Sequence, residues 1–176
     1  MKDNATWTSS AANGNTDVIF GRTSGGGQTP VGTLTVQDNA SLVVQSGSAA
    51  AKVIQLAGGP NDGATGIINL NGGNISTIGI TRARSGTSTG TINVNGGQIT
   101  ALAAGTNFFR NFPGTGGANS INLLAGGLKF DTGGFDAGIT NVLSGAGGLT
   151  KFGAEILTLS GANTYTGATI VSNGTL

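Results

Sequence analysis

The chain has no cysteine and no histidine. That excludes disulfides, thiolate nucleophiles, zinc sites of the usual kind and every catalytic triad built on histidine. Charge is scarce too: 8 lysines and arginines stand against 7 aspartates and glutamates in 176 residues, for a net charge of +1. A globular domain ordinarily spends about a quarter of its residues on charge. So near a balance gives no electrostatic case for nucleic acid or an anionic membrane as partner. Aromatics make up 5% of the chain, with one Trp and one Tyr, which leaves little material for a sugar-stacking platform. Prolines number three, and the Gly-X-Y triplet of collagen is missing. No apolar run approaches the roughly 20 residues of a spanning helix, so this segment is not expected to insert in a membrane. The opening MKDNATWTSS lacks the apolar stretch of a secretory signal.

What the chain has instead is glycine, 34 residues of it, set among short alternating runs of Val, Ile and Leu. Mean hydropathy is slightly positive. A disordered chain would be more charged and less aliphatic. Four segments align: GTLTVQDNASLVV from Gly32, GIINLNGGNIST from Gly66, GTINVNGGQITA from Gly90 and NSINLLAGGLKFD from Asn119. Leu34, Ile68, Ile92 and Ile121 mark equivalent positions, separated by 34, 24 and 29 residues. Each phrase opens with period-two alternation, the mark of a half-buried strand. A turn follows, NGG at 71–73 and again at 95–97, where glycine supplies positive φ. A second short strand comes next. Then comes a third apolar patch: DVIFGR at 17, AKVIQLAGG at 51, ISTIGITRAR at 75 and TNFFRNF at 106.

Three short strands per 24 to 34 residues, joined by glycine-rich corners, describe one coil of a parallel β-helix, or β-solenoid. A single coil cannot bury its apolar face, but stacked coils bury a continuous column. The alternative, a β-sandwich of antiparallel hairpins, predicts strands every 8 to 12 residues but not recurrence of the same strand–NGG–strand phrase. The expected division is an N-terminal cap and first strand over 1–20, irregular coils over 21–144 and a distinct repeat over 145–176.

That last stretch reads GAGGLTKFGAEILTLSGANTYTGATIVSNGTL. It resembles the autotransporter-associated β-strand repeat, also called the passenger-associated transport repeat. The match runs through Gly145, Gly147, Leu149, Thr150, Lys151, Gly153, Leu157 to Gly161, Asn163 to Gly167, Thr169, Val171 and Gly174 to Leu176. Glu155 departs from it, standing where the repeat usually has glycine. The segment ATWTSSAANGNTDVIF resembles more weakly the Trp-containing opening of large surface proteins that carry such repeats. The resemblance implies a secreted or cell-surface bacterial β-helix, a stalk or exported passenger, with no enzymatic activity and no cofactor.

Candidate sites are few. Asn69, Asn93 and Asn122 fall at matching strand positions, and Asn71 and Asn95 at the turns. They read either as a polar ligand-binding array or as amides hydrogen-bonded from coil to coil. Asp131 and Asp136 flank a glycine pair. Two carboxylates serve a glycosidase or a Ca²⁺ site, but with so few acids in the chain they read as solvated turn residues. Arg22, Arg82, Arg84 and Arg110 all fall on the third strand of a coil or its exit. On stacked coils they form a candidate stripe for an anionic surface glycan, or shield an apolar edge. Finally, the C-terminal TGATIVSNGTL has no charge and no proline to blunt a strand edge, so end-to-end self-association is expected.

Overall fold

The structure, a computed structural model, describes residues 1–9, 18–21, 29–45, 53–57, 63–82, 87–112 and 119–176. Among the described residues every strand pair is parallel and no helix occurs. The chain winds as a parallel β-helix with three faces.

Two faces belong to one continuous bent sheet. On the first lie the leading halves of β3 (Val31–Val44) and β5 (Thr65–Thr77), then β7 (Thr89–Val94), β10 (Asn119–Leu123) and β13 (Leu143–Ser144). On the second lie β1 (Thr6–Ser9), the trailing halves of β3 and β5, then β8 (Gln98–Ala101), β11 (Leu128–Asp131), β14 (Leu149–Phe152) and β16 (Thr169–Val171). The third face is built first by β2 (Val18–Phe20), β4 (Ile54–Leu56), β6 (Ile80–Arg82) and β9 (Phe109–Arg110). It continues as a separate pair, β12 (Ala137–Ile139) and β15 (Leu157–Leu159).

Register converts the sequence repeats into columns. On the first face Leu34, Ile68, Ile92, Ile121 and Leu143 pair in succession. On the second the succession is Leu42, Ile75, Ile99, Phe130, Lys151 and Val171. The aliphatic members from Leu34 to Leu143 are buried, so the apolar half of each alternating strand lines the helix interior. Phe108 packs edge-on against both Phe109 and Phe130, with centroids 5.1 and 5.2 Å apart. These rings fill the interior where the third face changes sheets. At about 25 cal/mol per Å² of apolar surface, such stacking stabilises each coil through its two neighbours alone.

The corners explain the glycines. Gly72 and Gly96 both hold φ of +84°, which a side chain disfavours. At Gly97 the obstacle is space, since a Cβ there would come within 2.2 Å of Leu70 Cγ. The NGG corner at 71–73 does not interrupt pairing as the sequence suggests. β5 runs through it as one bent strand, because Asn71 and Gly72 stay in register with Gln37 and Asp38.

Candidate functional site

The arginines come first. β6 alternates with Ile80 and Arg82 buried and Thr81 partly exposed, so Arg82 points inward. Phe20, Leu56 and Arg82 pair in succession, which places the arginine in an apolar column. Its Nε donates to Asn111 O at 2.7 Å and its Nη1 to Ser88 O at 2.8 Å. Burial lowers its pKa. Arg110 pairs with Thr81 and is exposed, on the opposite side of the same sheet. Arg82 and Arg110 therefore do not line one surface. Arg22 and Arg84 lie outside the described residues. Period-two alternation from Ile80 was the signal that could have placed Arg82 inside.

The asparagines form a chain of amide bonds. Asn93 Nδ2 donates to Asn69 Oδ1 at 2.9 Å, and Asn122 Nδ2 donates to Asn93 Oδ1 at 2.8 Å. Ser144 Oγ donates to Asn122 Oδ1 at 3.3 Å and extends the run to a fourth coil. Asn95 acts at the corner, its Oδ1 accepting from Gly126 N at 2.8 Å. These side chains spend their hydrogen-bonding capacity on neighbouring coils, which favours the stacking role over a ligand array.

The two aspartates have separate backbone partners. Asp131 Oδ1 accepts from Gly133 N at 2.9 Å and closes its own turn. Asp136 Oδ1 accepts from Ile156 N at 2.9 Å, one coil further on. Asp136 is exposed, as a turn residue should be, but it is more than solvated: it ties two coils together. Glu155, the departure from the repeat, accepts from Thr132 Oγ1 at 3.0 Å and so fastens its corner to the coil before.

A groove of about 640 Å³ runs along the third face. It arises because residues 105–110 step between two neighbours. Gly105 bridges to Ala137 and Phe108 N donates to Gly138 O, whereas Phe109 and Arg110 pair with Ile80 and Thr81. The walls carry the side chains of Thr106, Asp136, Thr140, Thr158 and Ser160. Its floor stays bare at Gly138, where a Cβ would meet Thr106 O at 2.4 Å. Among the described residues no group of three or more His, Cys, Asp or Glu is placed to hold a metal.

Sequence reasoning passed over Lys151 except as part of the repeat. Its side chain is fully buried in the second-face column between Phe130 and Val171. Nζ donates to Phe152 O at 3.0 Å, Gly153 O at 2.7 Å and Asn173 O at 3.1 Å. Desolvation lowers its pKa, while Glu155 and Asp131 pull the other way. Alternation with Leu149 was the available signal.

A three-faced parallel ladder with apolar columns defines the class of the protein as a parallel β-helix. Within it, residues 149–176 match the family model of the passenger-associated-transport-repeat, the β-helical repeat of autotransporter passengers. This is a structural repeat, and it suggests a secreted or surface-exposed protein. No curated protein and no solved structure matches the chain.

Proposed function

We propose that the chain is a non-enzymatic extracellular structural module, a stalk, surface-layer or fibre subunit whose coils stack end to end with those of another copy. The observation that carries this reading is the use of polar side chains. Asn69, Asn93, Asn122, Asp136 and Glu155 all bond to neighbouring coils rather than converge on a point where chemistry would occur. Parallel bonding along an axis resists extension and needs no distant contact. Among the described residues every strand pair is parallel, so a second copy that continues the ladder along the axis is added in the same direction. A head-to-tail contact of this type gives open fibres rather than a closed dimer. Sedimentation of the 176-residue chain over a concentration series tests it. Growth in mean mass with concentration is expected. A single monomeric species at every concentration would overturn the fibre reading.

A second reading rests on the third-face groove. Hydroxyls of Thr106, Thr140, Thr158 and Ser160 beside the Asp136 carboxylate suit a neutral polyhydroxy ligand such as a surface glycan. This groove is a candidate place for such a ligand besides the exposed Arg110. A glycan array probed with the chain and with Asp136→Asn tests it. Binding lost in the variant supports a carbohydrate-binding β-helix, and no binding by either leaves the structural reading alone.

A further inference from the structure

Among the described residues the interior holds two cations where its columns call for apolar side chains, Arg82 after Phe20 and Leu56, and Lys151 between Phe130 and Val171. They share a pattern. Each donates to backbone carbonyls in its own coil and also to one in the next. For Arg82 these are Ser88 O and, 29 residues on, Asn111 O. For Lys151 they are Phe152 O and Gly153 O and, 22 residues on, Asn173 O. In each case the carbonyl in the following coil is at a corner or strand exit, beyond the regular ladder that would otherwise hold it.

We propose that the buried cations act as latches that make the closure of one coil depend on the docking of the next. A buried ammonium or guanidinium is costly unless its protons are accepted, so its coil gains stability when the following corner supplies a carbonyl. The following corner in turn has a strong charged donor waiting for it. The coupling is reciprocal and local. It turns a stack of nearest-neighbour contacts, which can fray coil by coil, into blocks that open together. An aliphatic residue at either position packs the column as well but carries no information about whether the next coil is in place. The polar insertion is thus specific to docking rather than to burial.

Lys151 gives the cleaner test, because the coil it holds, 169–176, is the most exposed of the described coils. The experiment is native-state amide exchange on the full chain and on Lys151→Met, which keeps length and apolar packing but removes the donor. Protection of Ser172, Gly174 and Thr175, whose amides donate to Lys151 O, Asn173 Oδ1 and Glu155 O, is expected to fall about ten- to hundredfold. Protection at Ile92 and Ile99 is expected to stay within about threefold. Unchanged protection at residues 172–175 would overturn the latch. An equal fall at every amide would also overturn it, since that is the signature of ordinary core damage. Should Lys151→Met not fold, the unmodified protein still decides. The Lys151 ammonium and the Arg82 Nε proton are expected to exchange slowly enough for separate nitrogen-correlated signals. Exchange of both at the rate of free side chains would end the proposal.

Discussion

The coils between residues 65 and 101 and those between 149 and 176 obey the same three-faced plan, yet they are held by different means. In the central coils the interior is aliphatic, with Ile68, Leu70, Ile75, Ile92, Val94 and Ile99 fully buried, and the exterior is laced by the asparagine bonds. In the C-terminal coils the interior column passes through Lys151, and Thr169 and Val171 in the last coil are exposed. The outer strand positions there are Thr150, Phe152, Thr158 and Ile170, with no asparagine among them. The central coils are therefore stabilised from both sides. The terminal ones keep Leu149 and Leu157 in the core and add polar fastenings at their corners: Asp136 to Ile156 N, Glu155 to Thr132, Lys151 to Asn173. Stability along a β-helix is thus graded by what fills each column, even where the backbone ladder is unbroken.

The harshest way to break the comparison is to place a carboxylate in one column at two depths. Ile99→Asp buries an unpaired charge between Ile75 and Phe130 and is expected to cost several kcal/mol, enough to abolish cooperative unfolding. Val171→Asp, at the exposed end of that same succession, should shift the urea midpoint only slightly. Equal losses in the two variants would mean that the terminal coil is as integral as the centre.

The second contrast uses glycine. Gly97→Ala puts a methyl 2.2 Å from Leu70 Cγ and 2.7 Å from Gly72 O, and should cost about 1–3 kcal/mol by overpacking. Gly105→Ala meets nothing within 4 Å and has no positive φ, so its midpoint should match that of the unmodified chain. Thermal or urea unfolding of the pair checks this. A loss at Gly105 would show that the third-face groove is tighter than the contacts around it indicate.

These positions also show what the sequence made legible. Strand–NGG–strand recurrence placed Ile68, Ile92 and Ile121 in one column, and the third apolar patches did pair as β2, β4, β6 and β9. Both follow from local pattern, since parallel stacking pairs like with like. The arginine stripe was not legible in the same way. Charge suggested the surface, whereas alternation put Arg82 with Ile80 on the inside. Burial of a cation rests on carbonyls brought close by the corner of the next coil, and no local pattern carries that information. The groove was invisible for a related reason. It depends on residues 105–110 bonding first to one neighbour and then to the other.

A milder contrast concerns the exterior. Asn93 is the middle of the amide chain, donating to Asn69 and accepting from Asn122. Asn93→Ala leaves both neighbours short of a partner that water partly replaces, and should cost about 1–2 kcal/mol. Ser144→Ala, at the end of the run where one hydroxyl proton shared between Asn122 Oδ1 at 3.3 Å and Ile121 O at 3.4 Å is lost, should cost less than half as much. A double variant shows whether the run is cooperative. A loss equal to the sum of the two would mean that each bond acts alone.

The smallest effect is also the one that reports most directly on how the terminal coils differ. Burial lowers the folded-state pKa of Lys151 below its ordinary 10.5, against the weaker opposing pull of Glu155 and Asp131. Below the lowered value both folded and unfolded chains hold the proton, and the cost of burying the charge is present in full. Between the lowered value and 10.5 the unfolded chain binds more protons at this position than the folded one. Stability must therefore rise with pH across that window, the reverse of what a lysine in a surface ion pair would give. The rise is measured as the difference in urea midpoint between the unmodified chain and Lys151→Met at a series of alkaline pH values, so that other titrating groups cancel. The difference should move in favour of the unmodified chain as pH increases. Parallel profiles would mean that the three carbonyls solvate the ammonium as well as water does. Burial would then cost the terminal coils nothing, and the contrast with the aliphatic centre would reduce to exposure alone.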